Sequence, residues 1–252
     1  MERMHVLESI VNNLAKSIFM KGYLKKVLSF FFKKIYIEPI EKKRNKIFLK
    51  NGVEVLRVFD SVMNANNIIY SLDFGSLLGA VRESGFIKHD LDIDVAVSCD
   101  VDKNLIEKKL QDVGFKLHRR IIVDEGKFGI EETYIKNDVS LDIFYYYPYK
   151  NGSYYCTWFL PFEGCASFKE SVDKHGGLLP VMSISPFSED VEYVKFENIQ
   201  LPCFRSSEKY LIAKYGTNWR IPDPTCVYPN VAEGTINIEC EDKVSVIIGS
   251  LL

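Results

Sequence analysis

The order of apolar runs along the chain predicts an α/β protein of the α+β kind, with a mixed sheet, helices ahead of it and a helical or coil extension behind it. Three observations carry this. Apolar residues recur at three- and four-residue steps through much of the first 66 residues, which is a helical period. Short β-branched and aromatic runs then alternate with short helical stripes as far as Gly114. Beyond that point, paired β runs flank polar turns in the manner of hairpins.

Taken in order, Leu7, Ile10, Val11, Leu14, Ile18 and Phe19 start a helical stripe, and Leu24, Val27, Leu28, Phe31 and Phe32 continue it to about residue 34. Val53, Leu56, Val58, Phe59 and Val62 give a second helix over 42–66, ending at Asn64, Asn66 and Asn67. Ile68 to Leu72 is β-rich. Gly75-Ser76 breaks that run, and Leu77 to Arg82 reads as a short helix before a turn at Gly85. Ile93 to Val97 is a second strand. Asn104 to Val113 is a helix closed by Gly114, the residue that tolerates a left-handed cap. Phe115 to Val123 reads as a strand. Thr133 to Ile135 and Val139 to Tyr147 form a hairpin around Lys136-Asn137-Asp138. The stretch 148–190, rich in Gly, Pro, Ser and aromatics, yields no clear elements. Val191 to Pro202 reads as a hairpin around Glu197-Asn198, Ser206 to Tyr215 as a helix, and the chain after Pro222 as coil.

The 252 residues are 47% hydrophobic and 26% charged, an ordinary globular balance. Net charge is −2 but unevenly spread: residues 1–50 hold 12 Lys+Arg against 4 Asp+Glu, and the rest hold 20 against 30. A basic arm ahead of an acidic body suggests an anionic partner for the arm. Its amphipathic, lysine-flanked stripe suits a lipid headgroup boundary, so peripheral membrane contact through residues 1–40 is expected. The alternative is a helix packed on the body with its lysine stems along the edge. The six cysteines lack close pairing and read as reduced thiols of a cytoplasmic protein. Nothing in the charge pattern calls for a nucleic-acid partner.

Chemistry concentrates at Asp90-Leu91-Asp92-Ile93-Asp94. On a strand, Asp92 and Asp94 project to one face and Ile93 to the other. Two adjacent ionised carboxylates repel, and a hard divalent cation resolves the conflict by taking oxygens from both. Asp142 lies in the apolar run Ser140 to Phe144, where an acid is costly unless it is paired, liganded or facing solvent. If its strand adjoins that of Asp92 and Asp94, it completes the site as third ligand or as base. Gly75 and Ser76, at a helix start, would present donors to phosphates, with Arg82 as a further phosphate ligand. Mg²⁺, or Mn²⁺ in its place, is the expected ion.

The run Gly75-Ser76-Leu77-Leu78-Gly79-Ala80-Val81-Arg82, then Gly85-Phe86-Ile87 and Asp90-Leu91-Asp92-Ile93-Asp94, resembles the signature of the LicD/fukutin-related family. Tyr210-Leu211 to Tyr215-Gly216, with Trp219 and Pro222, is similar to that family's closing element. The resemblance implies a polymerase-β-like nucleotidyltransferase core, with Mg²⁺ on Asp92 and Asp94, Asp142 as third acid, and Gly75 and Ser76 at the donor phosphates. It divides the chain into an arm (1–50), a catalytic domain (51–223) and an extension (224–252). It further implies a CDP-alcohol donor that passes phosphocholine, or ribitol or glycerol phosphate, to a glycan or its lipid-linked precursor at the inner face of the membrane. His89 stands where the family often has other residues, and it reads as a surface turn. Two other readings remain open: nucleotidyl transfer to a protein or small molecule, and a non-catalytic glycan-binding subunit.

Overall fold

Helix α1 spans Glu38–Ala65, after one π-helical turn at Lys33–Ile37, in the computed structural model, which describes residues 33–187, 189–222, 235–236 and 245–249. Pro39 sits in the first turn of α1, where its missing N–H costs nothing. The helix buries Phe48, Gly52, Val55, Leu56, Phe59, Val62 and Met63, a single stripe at helical spacing. It therefore crosses the expected boundary at residue 50, because Phe48 packs on the ring of Phe86 at 4.5 Å and belongs to the core. The stripe expected over 6–34 lies almost wholly outside the described residues. Among the described residues no helix is long and apolar enough to cross a membrane.

The chain then runs β1 (Tyr70–Leu72), α2 (Phe74–Glu83), β2 (Asp92–Ser98), α3 (Lys103–Asp112), β3 (Lys116–Val123), β4 (Gly129–Lys136) and β5 (Val139–Pro148). Strand β2 pairs antiparallel with β1 and parallel with β5, while β5, β4 and β3 form an antiparallel meander. The sheet is thus mixed, as predicted. Asn137 and Asp138 turn the β4–β5 hairpin with φ of 52° and 60°, both left-handed. That geometry favours Asn and Asp at a tight two-residue turn.

The stretch that gave no sequence signal holds β6 (Tyr154–Leu160), α4 (Phe168–His175) and β7 (Leu179–Ser185). Its aromatic density is core: Tyr145, Tyr146, Tyr155 and Phe159 are buried, and Tyr147 stacks on Tyr155 at 5.3 Å. A hairpin of β8 (Val191–Phe196) and β9 (Ile199–Phe204) precedes α5 (Ser207–Tyr215). The tail is not all coil. Strand β10 (Thr235–Ile236) pairs with β7, and β11 (Ser245–Gly249) pairs with β3. Edge strands are completed by residues distant in sequence, so local composition hides them.

Alternation divides the sheet into two faces. Ile93, Val95, Val97, Leu141 and Ile143 are fully buried and point away from the acids. The acids share the opposite face with Phe144, whose ring meets that of Phe74 in α2 edge-on at 4.7 Å.

Candidate active site

Strand pairing brings the expected acids together. Asp94 on β2 lies directly opposite Asp142 on β5 in a parallel register, and Asp92 lies opposite Ser140. Neighbouring strands are about 4.8 Å apart and alternate residues about 6.6 Å, so the three carboxylates share one small area of one face. The row continues sideways: Asp142 faces Thr133 on β4, and Thr133 faces Arg119 on β3. The Arg119 guanidinium donates to Thr133 Oγ1 at 3.1 Å and to Glu131 Oε1 at 3.2 Å. Thr133, Arg119 and Glu131 support the acids from behind. Sequence reasoning missed them, because Arg119 stands between His118 and Arg120 and Glu131 is followed by Glu132 and Thr133, so neither marks itself off from its polar neighbours.

Electrostatics follows from this crowding. Burial, then the charges of Asp92, Asp142, Asp73 and Asp90, push the Asp94 carboxyl well above its usual range. Burial and the charge of Asp92 push Asp142 up to about 7. Asp90 rises to about 7 for the same two reasons. Asp92 is raised by burial, and Arg44 of α1 opposes the rise. Arg44 belongs to the basic segment, and the structure turns it toward the acids.

Helix α2 is stitched to Asp94. The Asp73 N–H donates to the Asp94 carbonyl at 3.0 Å, and the Gly75 N–H to Asp94 Oδ2 at 3.2 Å. The Asp94 N–H donates to Ser76 Oγ at 2.9 Å. Ser76 is fully buried, so it ties the helix to the strand and is not open to a donor phosphate. The reason is that α2 begins at Phe74, which rotates Ser76 toward β2. Arg82 lies in the last turn of α2, about 10 Å along the axis from Gly75. It pairs with Glu83 at 2.6 Å and donates to the Trp219 carbonyl at 3.4 Å. Its charge acts on Asp90. His89 is exposed in a turn, as the sequence suggested.

Gly75 shapes the acid cluster. A Cβ there would stand 3.4 Å from Asp90 Oδ1 and 3.5 Å from Asp94 Oδ2, so two carboxylates converge on the space that glycine leaves. Asp90 is held near by the Asn45 side chain of α1, which donates to the Asp90 carbonyl at 2.8 Å. Asp90 Oδ2 and Asp142 Oδ1 are buried without a hydrogen-bond partner. Unpartnered buried carboxylate oxygens in one acidic cluster fit a hard divalent cation. Among the described residues no group of three or more His, Cys, Asp or Glu is placed to hold a metal ion. The expected three-carboxylate site is therefore not formed as it stands, and a cation here would rest on fewer carboxylates, with water or phosphate oxygens completing its shell.

Two predictions arise here. Gly75→Ala should fold, since its contacts are ordinary van der Waals distances. Its methyl fills the space between the carboxylates, so Mg²⁺ affinity by calorimetry should fall about tenfold. Stability of the metal-free protein should rise as pH is lowered from 8 to 6. Asp90 and Asp142 are pushed up to about 7 when folded, whereas an aspartate in the unfolded chain titrates near 3.8. The folded state therefore binds more protons in that window, and stability is lost as pH rises through 7. Thermal melts in chelator check this, and a flat or opposite trend contradicts the crowding.

A cavity of about 430 Å³ opens elsewhere, past Asp94 along β2, lined in part by Asn67, Ser71, Ala96, Ser98, Asp100 and Glu189. Among the described residues no Lys, Arg or His lines it, which makes this lining a poor match for phosphates.

Comparison with known proteins covers the same part of the chain. The model of the LicD/FKTN/FKRP nucleotidyltransferase domain matches residues 67–184, from β1 through β7. The ribitol-5-phosphate transferase FKTN of Macaca fascicularis is 25% identical over 88% of this chain and 43% of its own length. The Homo sapiens protein of that name is 26% identical over 71% of this chain and 35% of its own length. The chain thus spans less than half the length of these relatives. The match covers just under half of the chain and contains every acid of the cluster, so the likeness to the LicD/FKTN/FKRP family lies in the part that builds the site.

Proposed function

We propose that this protein transfers a phospho-alcohol, such as ribitol phosphate, glycerol phosphate or phosphocholine, from a CDP-linked donor to a hydroxyl of a glycan or its lipid-linked precursor. The observation that carries the reading is the placement of Asp142 opposite Asp94, with Asp92 on the same face. Similarity to proteins named ribitol-5-phosphate transferase supports it.

Asp92 and Asp94 would hold Mg²⁺, with Asp142 as the third acid. The ion would neutralise charge on the donor phosphates and on the departing CMP. Asp142 accepts the proton of the acceptor hydroxyl as its oxygen bonds to the phosphorus that bears the alcohol. The bond from that phosphorus to the bridging oxygen breaks, and CMP leaves with the electron pair. Burial, the largest cause of the upward shift of Asp142, favours its taking up that proton. Thr133 and Arg119 keep Asp142 oriented from β4 and β3. Gly75 leaves room for the ligands between Asp90 and Asp94. The Lys and Arg excess in residues 1–50 supports an acceptor presented at an anionic, cytoplasmic membrane face.

The deciding experiment incubates the protein with Mg²⁺, an acceptor glycan and CDP-ribitol, CDP-glycerol, CDP-choline or CDP-ethanolamine in turn. CMP release with one of them is expected. Incorporation of nucleoside from labelled triphosphates, with no CMP release from any CDP-alcohol, would point to nucleotidyl transfer instead.

A further inference from the structure

The segment after β9 takes no part in the chemistry above, yet it holds both ends of the helix that shapes the site. Asp73, at the N-cap of α2, is fully buried. Its carboxylate accepts from the Phe74 N–H at 2.8 Å, from the Tyr146 hydroxyl at 3.0 Å and from the Tyr210 hydroxyl of α5. One turn further along α5, Lys214 is 1% exposed and is the one buried lysine among the described residues. Its Nζ donates to Ser183 Oγ of β7 and lies 4.8 Å from the centre of the Phe74 ring. Lys214 is the cation that opposes the upward push of burial on Asp73. At the other end of α2, the Trp219 carbonyl receives the hydrogen bond from Arg82.

We propose that α5 and the turn after it form a positioning clamp, in which Tyr210 and Lys214 fix Asp73 and the first turn of α2 so that Asp94 keeps its cation-binding geometry. The coupling path is short. Asp73 gives its N–H to the Asp94 carbonyl, Gly75 gives its N–H to Asp94 Oδ2, and Ser76 accepts from the Asp94 N–H. A shift of α2 along β2 breaks all three together. A buried lysine and a buried aspartate are costly, and apolar residues of similar size often pack as stably. What the polar cluster supplies in addition is one fixed position of α2 against β2. The proposal rests on the transferase reading, since Asp94 is the group being positioned.

The test compares Tyr210→Phe, Lys214→Met and the double variant Asp73→Asn with Lys214→Met. Asp94→Asn is the control. Each is measured by calorimetric Mg²⁺ titration, by CMP release resolved into kcat and KM, and by thermal melting. Tyr210→Phe and Lys214→Met should weaken Mg²⁺ binding about ten- to a hundredfold, the usual range for groups behind a metal ligand. They should lower kcat similarly, with donor KM changed less than about threefold. The double variant keeps an oxygen for the cap and for the Tyr210 hydroxyl, and its amide NH2 can donate to the Tyr146 hydroxyl, while both charges are removed. It should recover Mg²⁺ affinity to within about threefold of wild type.

If Lys214→Met does not fold, Tyr210→Phe and the double variant carry the test. Wild-type Mg²⁺ affinity and kcat in Tyr210→Phe overturn the clamp. So do losses that merely follow melting temperature and are not recovered by the double variant. If either occurs while Asp94→Asn loses Mg²⁺ binding, the clamp fails and the transferase reading stands. Unchanged Mg²⁺ binding in Asp94→Asn overturns both.

Discussion

Asp94→Asn should lower CMP release from the CDP-alcohol by about a thousandfold or more while making the metal-free protein more stable. The two effects have one cause. Asp94 is half-buried beside Asp92, Asp142, Asp73 and Asp90, and each of those charges disfavours its ionised form. A cation turns that repulsion into binding energy, and placing the ion is worth several kcal/mol to the reaction, at about 1.4 kcal/mol per decade of rate. Asparagine keeps a side-chain oxygen for the Gly75 N–H and leaves the main-chain bonds to Asp73 and Ser76 intact. The fold should therefore survive. Without metal, one repelling charge has gone, so the melting temperature in chelator should rise by a few degrees. A variant that loses activity and melts earlier in chelator would show that Asp94 is structural. One that keeps activity would remove it from the site.

How much of this was legible beforehand varies by residue, for physical reasons. The period-2 alternation around Asp92 and Asp94 is a local signal, and the strand formed as read. Asn137-Asp138 was legible because a tight turn demands left-handed backbone at those positions. The pairing of β2 with β5 was only conditional, because a parallel contact across 48 residues, Asp94 to Asp142, leaves no mark in either segment. Ser76 was misread for a local reason. The helix was placed three residues late, so a hydroxyl that faces the strand was assigned to the phosphates. Asp73, Lys214 and Arg119 were not singled out, because each looks like an ordinary charged residue until burial is known. The run Ser245 to Gly249 did carry a β-branched signal, and calling the tail coil on its prolines ignored it. Residues 148–190 defeated the reading because aromatics packed on both sides of β6 erase the alternation that marks a strand.

The second large effect lies on the opposite face of the sheet and tests the fold rather than the chemistry. Glu132 is fully buried there, and its carboxylate accepts from the Arg120 guanidinium, from Tyr134 at 3.0 Å and from Tyr145 at 2.9 Å. Arg120 also reaches Glu107 of α3 at 2.8 Å, so the cluster joins β3, β4 and β5 to that helix. Glu132→Ala leaves a guanidinium with one partner at the edge and two phenol groups with none. Breaking a buried pair in this way costs about 3–5 kcal/mol. For a chain of this size that lowers the melting temperature by on the order of 10 °C. Replacing both members, Arg120→Met with Glu132→Leu, should recover only the share due to the unpaired guanidinium, because Tyr134 and Tyr145 still lose their acceptor. The placement of Asp94 and Asp142 should then be unchanged, since Arg120 and Glu132 point away from them along alternating strands. Mg²⁺ affinity in the double variant separates the two faces: a wild-type value makes this cluster purely a fold element. A loss as large as that of Asp94→Asn would mean that the strands carry strain from one face of the sheet to the other.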